Sequence, residues 1–338
     1  MTIANPIDTR ADGFTLSDQD FESIADFAHK HFGLAMSSSK KPLVSSRLAR
    51  RLRKLNYTDF KSYLKELNGP NADAERSELL SLLTTNVTQF FREPHHFDTL
   101  RDDVLPPLLE KARRGDRVRI WSAGCSNGQE PYTIAMVLKE LCPDVEKLDV
   151  KILGTDIDPV VVRKASAGRY SADELSQIPQ KYSGYYKIEG QDGAVRDDLR
   201  ALLTFGVLNL IEPFPFKGKF DAIFCRNVAI YFDTPTQQKV WHAFQRSLNP
   251  GGYLFIGHSE RMSGPAASAL QTVGITTYLN SPAGGNTWAV RHNKRKWGTK
   301  NELERLSARD GRWRYVHQPR NPDPMSGWAW RQQLYGWK

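Results

Sequence analysis

From residue 117 onward the chain alternates short apolar runs with amphipathic ones, and the sharpest instance is "RVRIWSAGCSNGQEPYTIAMVLKEL". The run before Gly124 is short and apolar, whereas the residues after Gly128 repeat at helical spacing, so the stretch reads as strand, glycine turn and helix. "DVKILGTDID" supplies a second strand. "GKFDAIFCRNVAIYFD" reads as a buried strand running into a polar turn at Arg226 and Asn227, and "QQKVWHAFQRSLNPGGYLFIGHSE" as a helix, a Pro-Gly-Gly turn and another buried strand. Strands and helices in this alternation build an α/β domain around a mainly parallel sheet.

Such a sheet binds ligands at the carboxyl ends of its strands. Gly124 and Gly128 let a ligand approach the backbone after the first strand, although G-x-x-x-G lacks the third glycine of the dinucleotide fingerprint and equally describes a tight structural turn. The second strand ends in Asp156 and Asp158, where such folds grip the two hydroxyls of a ribose. Glu130, near the start of the following helix, would repel a pyrophosphate. A ligand with a ribose, a positive centre and no phosphates fits better, and S-adenosylmethionine (SAM) has those properties.

The region before residue 83 reads as helices. "TLSDQDFESIADFAHKHFGL" offers Ser17 or Thr15 as a cap and places Phe21, Ile24, Ala25 and Ala28 on one face. In "PLVSSRLARRLRKLNYTDFKSYLKEL", Val44, Leu48, Leu52 and Leu55 form an apolar face, while Arg47, Arg50, Arg51 and Lys54 recur on the flanks. No acid occurs between Asp26 and Asp59. The stripe reads either as a solvated face or as a docking surface for an acidic helix.

Charge and composition narrow the remaining classes. The net charge of +9 is concentrated at one end: residues 291–338 hold 12 Lys or Arg and 4 Asp or Glu, leaving about +1 for residues 1–290. That basic segment also contains five of the eight tryptophans, a composition that can stack on bases but also suits an extension without a packed core. Cys125, Cys142 and Cys225 are widely spaced and argue against disulfides or a zinc knuckle, and no metal site is expected. No secretory leader or membrane-spanning run is evident, so a cytoplasmic location without membrane insertion is the expectation.

Five separated motifs then carry a resemblance. "TTNVTQFFREPHHF", "WSAGCSNGQEPYTIAM", "GTDIDPVVVRKASAGRYS", "FCRNVAIYFD" and "LNPGGYLFIGHSE" are similar, in order, to those of CheR-type chemotaxis receptor methyltransferases. The match runs from about residue 14 to about 280. It implies an all-α N-terminal domain (14–82), a linker (83–94), and a class I SAM-dependent, Rossmann-like methyltransferase domain extending to 290. It also implies a small antiparallel β insertion at about 180–204. The tail, 291–338, lies outside the resemblance.

Carried over by position, the resemblance implies that Asn86, Thr88, Arg92, Gly124, Glu130, Asp156, Asn209, Leu210, Asn227 and Val228 contact SAM or its product S-adenosylhomocysteine. Glu130 would face the methionine portion and Asp156 the ribose. Other readings stand beside these: Asn86 and Thr88 as helix caps, Arg92 in a surface ion pair, Asn209 and Asn227 as partners of strand-end carbonyls, and Phe90 and Phe91 as core anchors.

The implied reaction methylates glutamate side chains of methyl-accepting chemotaxis receptors, whose cytoplasmic helices would be the partners of a monomeric enzyme. Glutamate, with a pKa near 4.3, is already ionised at neutral pH and needs no general base. Arg92 would orient the incoming carboxylate and Tyr231 would line the same pocket. His258, Ser259 and Glu260 are too close in sequence for a hydrolytic triad and read as a strand end. Nucleic acid is not the expected partner; the alternative functions are a nucleic-acid methyltransferase working through the basic aromatic tail and a cofactor-binding scaffold without turnover.

Overall fold

The computed structural model describes residues 15–70 and 72–281; the basic segment 291–338 and the expected domain margins at 14 and 282–290 lie outside the described residues. Four helices come first. Helix α1 (Asp18–Phe32) is capped by Ser17, whose hydroxyl accepts from the Asp20 amide, and it ends at Gly33 in the left-handed region. It is followed by α2 (Lys41–Lys54), α3 (Phe60–Leu67) and α4 (Asp73–Leu83). Ile24 of α1, Leu48 and Leu52 of α2, Tyr63 and Leu67 of α3 and Leu79 of α4 are buried in one cluster. The apolar spacing of α2 is thus its packed face.

The linker passes into α5 (Pro94–Thr99), which continues through a π-helical turn (Leu100–Val104) into α6 (Leu105–Arg113). The alternation then begins: β1 (Val118–Ala123), α7 (Gln129–Leu141), β2 (Val150–Asp156) and α8 (Pro159–Ala167). A side unit follows, made of β3 (Arg169–Ser171), α9 (Ala172–Ser176), β4 (Tyr186–Glu189), β5 (Asp192–Val195) and α10 (Asp197–Arg200). The chain returns through β6 (Leu203–Val207), β7 (Phe220–Cys225), α11 (Thr234–Ser247), β8 (Leu248–Ile256), α12 (Ala266–Ala269), β9 (Leu270–Gly274) and β10 (Thr277–Asn280).

The main sheet has seven strands in the order β6-β2-β1-β7-β8-β10-β9. The first five are parallel, and β10 runs antiparallel between β8 and β9. This is the expected class I methyltransferase fold. Its central strands are buried on both faces because helices cover both, which explains their nearly continuous apolar runs. Trp121 of β1 packs among Phe214, Phe216, Phe220 and Phe244, and its indole N–H donates to Thr155 Oγ1 at 2.8 Å.

The small sheet, β3-β5-β4, spans Arg169–Val195 rather than 180–204. Residues 203–204, assigned to the insertion from sequence, open β6 of the main sheet. "RYS" has no strand pattern of its own; it becomes one by pairing with Asp192–Ala194 some twenty residues later.

Candidate active site

Strand order reverses at β1: β2 and β6 lie to one side of it, β7 to the other. A crevice forms at the carboxyl ends of such strands. Here it is an open cleft of about 920 Å³, its mouth and the solvent in it included. Its walls come from the turn after β1, the tip of β2, the segment after β6, the loop after β7 and the linker. Phe32, the last residue of α1, and Leu34 complete them.

All of the cofactor-contact residues inferred from sequence line this one cavity, as does Tyr231. Gly124 sits at φ +80°, and a Cβ there would lie 2.3 Å from Val228 Cγ2. The glycine therefore lets the β1 turn close onto the β7 loop. Asp156 is oriented by two backbone amides, Ser126 N to Oδ2 at 2.8 Å and Asp158 N to Oδ1 at 3.0 Å. Burial nevertheless pushes its carboxyl up to about 6.

Glu130, at the start of α7, accepts from Ser122 Oγ at 2.7 Å and pairs with Arg226 Nη1 at 3.0 Å. Burial raises its pKa against the pull of that guanidinium. Arg226 also reaches Glu93 at 3.3 Å and donates to the Arg92 carbonyl, so it ties the linker to the floor of the site. For Glu93 burial acts upward, but Arg226 and His258 hold the carboxyl below its ordinary value.

The linker is fastened from both ends. Phe90 is buried edge-on to Tyr170, and Phe91 stacks on Tyr182 with ring centroids 4.7 Å apart; neither lines the cavity. Phe91 and Glu93 adopt positive φ, at 55° and 54°. Asn86 reaches Asp158 at 3.3 Å, and Ser126 Oγ donates to its carbonyl at 3.2 Å. Arg92 donates from Nη1 to the Val87 carbonyl at 3.1 Å, one of its five donors. Thr88 lines the same wall, and Tyr231 Oη donates to the Thr85 carbonyl at 3.2 Å.

Asn209 serves the domain junction as well as the cavity. Its amide donates to the His31 carbonyl at 2.9 Å, and its oxygen accepts from Ile211 N at 3.3 Å.

Three features escaped the sequence reading. The sequence marks Arg226 only as part of a polar turn and gives Glu93 no role. Glu260, read as a strand end, sends its buried carboxylate back to the β7 loop and accepts from the amides of Asn227, Val228, Ala229 and Ile230. Nothing local in sequence marks these contacts, which join residues about 30 to 134 positions apart. His258 turns to Glu93 instead, with Nδ1 3.0 Å from Oε1, and Ser259 Oγ lies 3.0 Å from its Nε2. Those two side chains are exposed and outside the cavity.

Glu93, His95 and His96 bring possible ligand atoms within 4.8 Å of one another. Arg226 already supplies a cation to that carboxylate. His96 is fully buried, with its pKa lowered to about 3 chiefly by that burial.

The basic stripe is divided by the structure. Arg51 forms a two-point ion pair with Glu75 of α4 and lies 3.3 Å from Glu78. Arg47 donates to the carbonyls of Leu82 and Thr84. Both therefore hold α4 and the linker from within the stripe. Arg50 and Lys54 are exposed. The neutralising acids were invisible as a pattern because they lie on a later helix.

Comparison with known proteins gives two matches end to end. "CheR methyltransferase, all-alpha domain" matches residues 19–84, and "CheR methyltransferase, SAM binding domain" matches residues 86–279. A "Probable chemotaxis protein methyltransferase" of Rhizobium etli is 48% identical over 257 residues, covering 75% of this chain and 96% of that protein. The "Chemotaxis protein methyltransferase" of Borreliella burgdorferi is 39% identical, covering 74% of this chain and 90% of that one. The Escherichia coli protein of the same name is 40% identical, covering 73% and 86%.

Proposed function

The chain belongs to the CheR methyltransferase family, and on that premise we propose that it transfers the methyl group of SAM to glutamate side chains of methyl-accepting chemotaxis receptors. The observation that carries the reading is the cavity at the reversal of strand order, where Asp156, Asn227 and the linker residues face one space. The donor set suits SAM. Asp156 is an acceptor for ribose hydroxyls, Glu130 supplies negative character near a cationic ligand, and Asn227 keeps a buried Oδ1 without a hydrogen-bond partner. SAM, when bound, supplies the electrophilic methyl group.

The residues then bind, orient and exclude water. Asp156 fixes the nucleoside end, while Asn86 and Thr88 close the linker over it. A receptor glutamate enters already ionised, so alignment and water exclusion carry the catalytic load. Arg92 orients that carboxylate, with Tyr231 beside it. Too strong a grip would stabilise the ground state, so Arg92 aligns rather than neutralises. Arg50 and Lys54 are the docking residues for an acidic receptor helix. Among the described residues no helix is long and apolar enough to cross a membrane, which agrees with an enzyme working on the cytoplasmic helices of its receptors.

The test is incubation with methyl-labelled SAM and receptor cytoplasmic fragments, followed by mild base. Glutamyl methyl esters release volatile labelled methanol. Base-stable label, or label only in nucleic acid, would overturn the proposal.

A further inference from the structure

Resting on the reading of the cavity as the SAM site, we propose that Glu260 is the positioning residue for that site, acting by holding the loop after β7 in its binding shape. The residue is 4% exposed, and its carboxylate lies at the meeting point of five backbone amides. Oε1 accepts from Val228 at 3.0 Å, Ala229 at 2.7 Å and Ile230 at 3.3 Å; Oε2 accepts from Asn227 at 3.1 Å and Gly257 at 2.5 Å. Four successive N–H groups turned to one side, at the start of the 3-10 turn Ala229–Tyr231, form an anion-binding concavity that the carboxylate fills.

Two further observations fit this loop to the carboxylate. Asn227 has φ +59°, the left-handed region that asparagine enters more readily than most non-glycine residues. A Cβ at Gly257 would lie 2.7 Å from the Asn227 amide and 2.9 Å from Glu260 Oε2, so only glycine admits the carboxylate this closely. Burial raises the Glu260 pKa while the surrounding amides favour its ionised form.

The loop so held presents the cavity wall. Asn227 and Val228 line it, Val228 closes over Gly124, and the Tyr231 carbonyl accepts from Ala35 N at 2.7 Å while its hydroxyl reaches the linker. One carboxylate outside the cavity lining therefore sets three residues within it. Glu260 touches neither substrate nor cofactor; it acts through the amides.

Glu260→Gln keeps the size but places an NH₂ group where an acceptor stood, opposing at least two of the amides. The expected result is an S-adenosylhomocysteine Kd weakened by about 10- to 100-fold, with kcat reduced and the receptor-fragment KM within about twofold of wild type. Glu260→Asp, which keeps both oxygens on a shorter stem, should fall between.

A folded Glu260→Gln variant with unchanged cofactor affinity would overturn the proposal. If that variant does not fold, amide exchange in the wild-type protein decides. The Val228 and Ala229 amides should be protected without ligand. Protection that appears only on adding S-adenosylhomocysteine would show that the ligand organises the loop, and the proposal would fail. Calorimetry with S-adenosylhomocysteine needs no receptor, so a failure to methylate receptor glutamates leaves this test intact.

Discussion

Asp156 connects the chemistry of one side chain to two opposite pH dependences. Its folded pKa, about 6, stands above the ordinary value of 3.8, so the folded state holds the extra proton between those values. Its contribution to the stability of the ligand-free protein therefore rises as pH falls through 6 and is complete below about 4. Cofactor binding should run the other way, because the ionised carboxylate is the better acceptor for ribose hydroxyls. Affinity measured by calorimetry should fall below pH 6, by up to roughly tenfold per unit. Asp156→Asn should lower affinity at pH 7.5 by about 1.5–3 kcal/mol and flatten that slope. A wild-type affinity unchanged from pH 7.5 to 5 would remove Asp156 from the ribose site. Arg92→Lys separates charge from alignment, since lysine lacks the planar fork. Single-turnover transfer at saturating SAM should slow by about 10- to 1000-fold, and a rate within about twofold of wild type would deny Arg92 an orienting role. Gly124 and Asp156 were legible because a strand tip and a glycine turn are local signals. Glu260 and Arg226 were not, because their partners are distant in sequence and meet only when the sheet forms.

At the scale of elements, α2 shows how far a pattern can be read. Its apolar spacing gave the buried face directly, since Val44, Leu48 and Leu52 pack as the period requires. Its charges did not declare their partners, which required knowing that α4 crosses beside it. The stripe consequently separates into two experiments. Glu75→Gln leaves Arg51 without its two-point partner and also disturbs the Tyr63 hydroxyl, which donates to Glu75 Oε1 at 2.7 Å. That change should cost about 1.5–3 kcal/mol in chemical denaturation with little effect on cofactor affinity. Arg50→Gln with Lys54→Gln should leave stability nearly unchanged, yet raise the receptor KM and weaken its salt dependence. Equal KM values at every ionic strength would make Arg50 and Lys54 an ordinary solvated surface. The small sheet makes the same point: the resemblance implied an insertion at about 180–204, but β3 lies before it and exists only through its pairing with β5.

For the whole molecule, the decisive fact is that the cavity belongs to neither domain alone. Phe32 and Leu34 reach it from the helical side, while Asp156 and Asn227 reach it from the sheet. The junction around it is polar and specific: Ala35 N to the Tyr231 carbonyl, Asn209 to the His31 carbonyl at 2.9 Å, and Ser81 Oγ to Asp158 Oδ2 at 2.6 Å. A ligand that binds only this assembled arrangement must stabilise both sides together. At a concentration of 100 Kd the gain is about 2.7 kcal/mol. S-adenosylhomocysteine should therefore slow hydrogen exchange in peptides from α1 and α4 as well as in those from β1, β2 and the β7 loop. Ser81→Ala, which removes the α4 contact to Asp158 without entering the cavity lining, should reduce the transmitted protection in α4 more than the protection in β2. Protection confined to the sheet domain would mean that the helices merely adjoin the site. Protection spreading across both would mean that the helical domain and the cofactor site are thermodynamically linked through this junction.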